Sequence, residues 1–401
     1  RLFFWHRGAA QPRRVVAAMG APRAVLAHGA CVNCVAVYTT VANEPRVVCG
    51  SRDAHVYVWD PVQARVIHKL AGHAKDVLAV ACHAPSAAQR RIVSGSVDAS
   101  VRVWDGADGK CMAVLRHADW VTALTCFDAG SRGWRVASAA RDGTLRVWNV
   151  AAKGEVVVCG GLGDAVAGVA HVSAARGGIV VAACHDHKLH AFDAASGKRL
   201  FALSGHSGAV NCAASFRDAS QRAFFVSGSN DATARIWDAD DPKSAAVRVC
   251  RGHGGPVLAV AALRHRPLGD VANRFSGATW YVATASADAS VRIWATAGDS
   301  DGPLRSLRGH FNAVAGLAVA DHAGAQVLAT AAMDGNVCVW DLDDDDGDAV
   351  WEPVDAEPAR RPASHVADVP GVHGVWVRDN YGGYFSCAAA DAEYDSDIDR
   401  C

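Results

Sequence analysis

The chain has 401 residues, 51% of them hydrophobic and 20% charged, with a formal net charge of −1. So much apolar material excludes wholesale disorder, and a charge so close to zero gives no global argument for nucleic acid or membrane. The length exceeds one typical domain unless a repeat array accounts for it.

At the amino terminus, residues 1–43 hold five arginines (Arg1, Arg7, Arg13, Arg14 and Arg23) and no acid. The chain opens on Arg1, not Met, and is expected to be a fragment with room for an upstream domain. Residues 24–43 carry no charged side chain and follow Arg13-Arg14, as a signal peptide or membrane span would. His28, Asn33 and the repeat described below argue against both, and no membrane partner is expected. Leu2-Phe3-Phe4-Trp5 and Arg23-Ala24-Val25-Leu26 each read as a short strand. Cys31-Val32-Asn33-Cys34 is the one C-x-x-C among 13 scattered cysteines. A zinc site needs a second pair, and on a strand these two thiols face opposite sides. Reduced cysteines fit the cytosol or nucleus.

A ruler then runs along the chain. An Asp is followed six residues later by an aromatic at Asp53/Trp59, Asp98/Trp104, Asp142/Trp148, Asp186/Phe192, Asp231/Trp237, Asp288/Trp294 and Asp334/Trp340. The aromatic-to-aromatic steps are 45, 44, 44, 45, 57 and 46 residues. His28, His73, His117, His206, His253 and His310 precede six of the Asp residues. Four residues before the Asp stands Ser94, Ser138, Ser227, Thr284 or Thr330. Each unit offers four short strands with period-two alternation, and the Asp occupies a tight turn between the second and third. The fourth unit is degenerate, with Leu162, Ala182 and Phe192 at the His, hydroxyl and Trp positions. The first has Cys49 at the hydroxyl position, and the sixth carries extra length in 264–281.

These features resemble the WD-repeat family, whose period is about 40–45 residues with Gly-His and Trp-Asp signatures. They stand here as Gly72-His73 with Trp104-Asp105, Gly205-His206 with Trp237-Asp238, and Gly309-His310 with Trp340-Asp341. The resemblance implies an all-β propeller over nearly the whole chain. It further implies five buried hydrogen-bond tetrads running from indole through hydroxyl and imidazole to Asp. These are His73/Ser94/Asp98/Trp104, His117/Ser138/Asp142/Trp148, His206/Ser227/Asp231/Trp237, His253/Thr284/Asp288/Trp294 and His310/Thr330/Asp334/Trp340. A hydrolase triad needs one such set in a cleft, and five repeats point to structure, so no enzyme, no cofactor and no metal are expected.

Two further clusters invite chemistry. His185-Asp186-His187-Lys188-Leu189-His190 has metal-ligating residue types, but successive strand residues alternate faces. Asp343–Asp346 with Gly347 and Asp348 hints at calcium, yet the Gly falls out of register for an EF-hand loop and no helix flanks it; a solvated acidic loop is the better reading.

The carboxy-terminal part carries 16 acids and four arginines over 341–401. Within it, His365–Val372 aligns with His73–Val80, and Val375–Val377 and Tyr384–Cys387 flank a Gly382-Gly383 turn. Seven units occupy 28–342, an acidic loop 343–364, a hairpin 365–391 and an acidic tail 392–401. The expected fold is one propeller over 1–391. It has seven clear blades and a composite eighth, built from the 365–391 hairpin and the closing strands of 1–27. The alternative is seven blades closed by Arg23–Leu26.

The resemblance implies a protein-interaction scaffold or adaptor in a multiprotein complex, cytoplasmic or nuclear, with no direct nucleic acid expected. Such propellers bind peptides and domains on the face that carries the His and Asp loops. Candidates there are Arg52, Lys75, Arg116, Trp120, Arg141, Arg251, Arg308, Phe311, Asn312 and Met333, residue types largely favoured at interface cores. Convergence of the five arginines would favour acidic or phosphorylated partners. A phospho-motif receptor of a ubiquitin ligase is the alternative role. It is weakened because Trp59-Asp60, Trp104-Asp105 and Trp237-Asp238 lack the x-Arg extension typical of receptors that dock on the propeller-type ligase adaptor.

Overall fold

The computed structural model describes residues 24–40, 44–86, 89–130, 133–150, 155–173, 178–218, 220–243, 245–264, 280–296, 302–322, 325–342, 376–378 and 384–386. Among them are seven four-stranded antiparallel sheets, six of them with their strands in chain order. Six are continuous in sequence, over 32–71, 77–116, 121–159, 166–204, 210–250 and 257–308. The seventh takes three strands from 314–341 and its outermost from Ala24–Ala27. Residues 24–40 thus form strands in two different sheets, and no helix among the described residues is long and apolar enough to cross a membrane.

Blade 5 shows why these residues make these strands. Val210–Arg217, Ala223–Ser229, Ala234–Asp238 and Arg248–Cys250 pair in that order. Val226, Ala234, Ile236, Cys250 and Val257 pack into the junction with blade 6, while Phe225 and Trp237 pack with Val181, Leu189 and Leu203 of blade 4. A sheet whose two faces are both apolar can be stable only between two neighbours, so the blades stack radially. The Asp of Trp-Asp sits in the turn before the outer strand. Asp60, Asp105 and Asp238 each accept a turn N–H and pair with an arginine in, or just before, the second strand: Arg46 at 3.7 Å, Arg91 at 2.7 Å and Arg222.

Ring closure corrects the expected eighth blade. Ala24–Ala27 runs antiparallel to Asn336–Asp341, with Val25 opposite Cys338 and Leu26 opposite Val337. That occupies the edge on which a composite blade would have begun. Blade 7 also packs directly on blade 1: Leu26, Val35, Val47, Val327, Ala329 and Val337 share one buried cluster. A Cβ on Gly316 would stand 3.0 Å from the backbone nitrogen of Val35, so there is no slot between them. The ring therefore has seven blades. The expected hairpin does form, with Trp376–Arg378 paired to Tyr384–Ser386, but among the described residues it is a two-stranded sheet that joins no blade. The Leu2–Trp5 strand, the acidic loop 343–364 and the tail 392–401 lie outside the described residues.

Leu26 is 1% exposed at this closure. Leu26→Ala should cost about 2–4 kcal/mol in urea melts, as buried leucine truncations do, and should speed amide exchange in 336–341. Removing residues 365–401 should leave the midpoint of the same melts unchanged; a loss comparable to that of Leu26→Ala would restore a role for the hairpin in closure.

Candidate functional site

Every blade joins two loops on one end of the ring. One loop enters the innermost strand and carries the His. The other links the second and third strands and carries the Asp. A backbone bond ties the two in all seven blades: the N–H of the residue before each Asp (Arg52, Val97, Arg141, His185, Asn230, Ala287 and Met333) donates to a carbonyl of the His-side loop.

Side chains add a second tie in five blades. In blades 2, 3, 5, 6 and 7 the His Nδ1 lies 2.9, 3.3, 2.8, 2.9 and 3.0 Å from the Asp Oδ2. The Nε2 of each lies 2.7, 2.6, 2.8, 2.7 and 2.7 Å from the hydroxyl of Ser94, Ser138, Ser227, Thr284 and Thr330. The indole N–H of Trp104, Trp148, Trp237, Trp294 and Trp340 donates to that hydroxyl at 2.7–2.9 Å. An indole can only donate. The hydroxyl accepts it and gives its own proton to Nε2, which leaves Nδ1–H to donate to Asp. The same Asp Oδ2 accepts the N–H of the residue after the His: Ala74, Ala118, Ser207, Gly254 or Phe311. Thus a bond network anchored in the core fixes the loop that meets solvent. The hydroxyls are fully buried, so none of these sets presents a nucleophile.

Burial by itself would raise the Asp231 carboxyl, but hydrogen bonds from Thr233 and His206 outweigh it and hold it at about 2. Asp98 is held well below the usual range in the same way, by His73 and Ser100 against burial. At three of the imidazoles burial dominates: it pushes His117 down to about 4, against the pull of Asp142, and lowers His28 and His206 as well.

Gly-His has its own steric reason. A Cβ on Gly205 would lie 2.8 Å from Arg235 Nη1 and 3.1 Å from the Trp237 ring.

Six segments of the chain, 20–60, 64–105, 109–149, 197–238, 244–295 and 301–341, match the WD domain, G-beta repeat family. The chain belongs to the WD40 family. The longest gap between matched segments, 150–196, holds the first three strands of blade 4, the degenerate unit. Among curated proteins it is similar to a ribosome biogenesis protein WDR12 homolog of Ixodes scapularis, 30% identical over 181 residues (38% of this chain, 39% of the relative). It is also similar to Elongator complex protein 2 of Danio rerio, 32% identical over 107 residues (26% of this chain, 12% of the relative). The chain thus spans well under half the length of either relative.

In the two blades without a tetrad, the residue four after the Asp takes over. Tyr57 donates to Asp53 Oδ2 at 2.6 Å, and His190 Nε2 lies 2.8 Å from Asp186 Oδ2. Arg199 donates to His190 Nδ1 at 2.6 Å. This column (Tyr57, Arg102, Arg146, His190, Arg235, Arg292 and Cys338) has a fixed offset in the sequence, but its role in the two defective units shows only in the tertiary contacts. Cys184, Asp186 and His190 present three ligand atoms within 4.8 Å of one another. They do not fit a metal centre. Arg199 needs Nδ1 as an acceptor, which puts the proton on Nε2, the atom that would have to bind. Cys184 stands where Ser96, Ser229 and Ser286 stand in other blades, and like them it donates to a carbonyl of the His-side loop. Nor do Cys31 and Cys34 act as a pair: Cys31 donates to the Met333 carbonyl at 3.2 Å, and burial pushes the Cys34 thiol up.

Of the partner-binding candidates, Trp120 and Arg141 come together, with the guanidinium 4.4 Å from the ring centre. Phe311, Asn312 and Met333 share the two loops joined by His310 and Asp334, and Phe311 is 65% exposed. Lys75 is exposed on its loop, and Arg52 faces Asp76 at 3.9 Å. The arginines divide into two sets. Arg52 and Arg141 sit on inner turns. Arg116 and Arg308 end outermost strands, and Arg251 follows one, on the periphery.

Two measurements follow. In blade 1, His28 Nε2 is buried with Asp53 Oδ2 no nearer than 3.9 Å, and the Trp59 indole faces the weak acceptor of the Cys49 thiol. Cys49→Ser should give the Trp59 indole a stronger acceptor and raise stability by about 1 kcal/mol, the net worth of a buried hydrogen bond; a lower melting temperature would show that the pocket cannot take the hydroxyl geometry. The second concerns acid. A His held at about 4 binds its proton later than the unfolded chain does at its ordinary 6.5, so its stabilisation is full above pH 6.5 and lost as pH falls through 4. The depressed Asp231 adds a loss from about pH 4 down towards 2. Unfolding free energy should therefore be level from pH 8 to 6.5 and decline below, with a shallower decline in His117→Gln.

Proposed function

We propose that this propeller is a non-catalytic adaptor that holds protein or peptide partners on the face carrying the His and Asp loops. The observation that carries the reading is Phe311. A large aromatic 65% exposed on a loop is costly in water, and its own N–H is clamped by Asp334 at 3.0 Å. Rigid aromatics on fixed loops are the kind of residue that dominates interface energetics. The Arg141–Trp120 pair in blade 3 supplies a second anchor, suited to a ligand with an acidic or phosphorylated group beside an apolar one. The names of the two relatives, one of ribosome biogenesis and one of the Elongator complex, support a role within a multiprotein assembly in nucleus or cytoplasm.

Affinity capture with quantitative mass spectrometry tests this. The double variant Phe311→Ala/Arg141→Glu should melt as the wild type does, because both side chains point away from the core. It should lose at least about tenfold of its specific partners, the scale of hot-spot truncations. An unchanged partner set would remove this face from the interaction.

A further inference from the structure

Four blades carry an arginine four residues after the turn Asp: Arg102, Arg146, Arg235 and Arg292. In three of them the residue directly opposite, on the outermost strand, is a valine: Val114, Val158 or Val249. Blade 6 departs from this. There Ser306 stands opposite Arg292.

Directly opposite side chains of an antiparallel pair share a face, with Cβ atoms about 5 Å apart. Ser290 and Arg308 form the next pair on that face, because positions two apart point the same way. Ser306 therefore has Arg292 across from it and Arg308 beside it along its own strand. This is the side of blade 6 turned towards blade 5, where Trp294 packs with Ile236 and Cys250. Arg251 adjoins the pair: a Cβ on its neighbour Gly252 would lie 2.8 Å from Arg292 Nη1.

The serine is available and the charge around it is unbalanced. Ser306 is partly exposed, and its hydroxyl makes no hydrogen bond among the described residues. Arg251 and Arg308 are exposed and pair with no acid among the described residues. Arg292 Nε is buried without a partner. Its Nη2 lies 4.0 Å from Asp288 Oδ2, but that carboxylate already accepts from His253, the Gly254 N–H and Ser290. Three guanidinium groups thus stand near one engaged carboxylate and an unbonded hydroxyl.

We propose that Ser306 is a phosphorylation site, with Arg292 and Arg308 as the receptor of its phosphate. The sequence Arg305-Ser306-Leu307-Arg308 suits a protein kinase that selects arginine beside its serine. The strand that carries it is outermost in its sheet, so its backbone is extended and one edge is unpaired. The terminal phosphoryl group of ATP passes to Ser306 Oγ. A P–O bond to Oγ forms as the bond to ADP breaks, ADP leaves with the bonding pair, and the hydroxyl proton goes to the kinase's catalytic carboxylate. The phosphate brings nearly two negative charges and three strong acceptors. It ties the outermost strand to the third through the Arg292 fork and cancels the positive charge of this rim. The inference does not depend on the Phe311 site.

The full chain with phosphoserine installed at position 306 during translation tests the receptor. Its phosphorus-31 resonance should titrate about one pH unit lower in the folded chain than in urea, because nearby guanidinium groups favour the dianion. Arg308→Gln changes an exposed side chain, so the fold should survive, and part of that shift should be lost. Arg292→Lys should keep more of it than Arg292→Gln. Access is tested by incubating the unmodified folded chain with ATP and a purified arginine-directed protein kinase. Phosphate should enter at Ser306, mapped by tandem mass spectrometry, with that site silent in Ser306→Ala. A phosphate that titrates alike in the folded and urea-unfolded chains overturns the proposal. So does one that the Arg292→Gln/Arg308→Gln double variant leaves unshifted from the wild type. A folded chain left unmodified at Ser306 by a kinase that modifies a peptide of residues 302–312 also overturns it, because the native fold then closes the site.

Discussion

The hydrogen-bond chain from indole to hydroxyl to imidazole to carboxylate is the constraint on which the rest of this propeller depends. Each member needs the next: a buried indole N–H and a buried imidazole both carry a penalty when left unpaired. Together they cross the blade from its third strand to the loop that enters its first. The Asp closes the chain and also takes the N–H after the His, so one carboxylate couples the hydrophobic core to the solvent-facing loops. Its depressed pKa is the electrostatic expression of that coupling. The chain works as a unit, since a hydroxyl that accepts from Trp must donate to His.

The two defective blades show how much of this is dispensable. Blade 1 keeps its His and Trp but has a thiol at the hydroxyl position, a weak acceptor that breaks the chain. Blade 4 abandons the chain and fills the space with Leu162, Phe192 and a compact Arg199–His190–Asp186 relay. Both blades still hold their turn Asp from the third strand, through Tyr57 or His190. What every blade retains is the backbone bond between its two loops and apolar packing against both neighbours. Local networks can therefore lapse singly, because the ring shares their load.

The two ends of the strands are built differently. At one end, loops are pinned by tetrads and present side chains to solvent on a fixed frame, which lowers the entropy lost on binding. At the other, strand ends from neighbouring blades stack flat groups on one another: His83 on Trp134 at 5.0 Å, Phe127 on His171 at 3.7 Å and Phe216 beside Trp280. Those stacks seal the junctions between blades and, between blades 5 and 6, leave a slot beside an exposed arginine.

The repeat was legible in the sequence because it is enforced locally. A turn Asp, a Trp six residues on and a hydroxyl four residues back keep fixed offsets along antiparallel strands, and offsets survive without any knowledge of the fold. Strand content, blade repeat and the membership of all five tetrads could be read from spacing and family resemblance. Closure could not. Whether the ends make a seventh or an eighth blade depends on which edge Ala24–Ala27 reaches and on whether Gly316 may touch Val35 across more than 280 residues of chain. The candidate arginines show the same limit: all five stand near a His or an Asp in sequence, yet outermost strands carry Arg116 and Arg308 to the rim while inner turns keep Arg52 and Arg141. The groove of Phe216, Arg264 and Trp280 leaves no periodic trace at all, since it arises where unlike residues of neighbouring blades meet. Spacing along one chain determined the blades; contact between blades, set by the curvature of the closed ring, decided their number and which side chains each end of the ring presents.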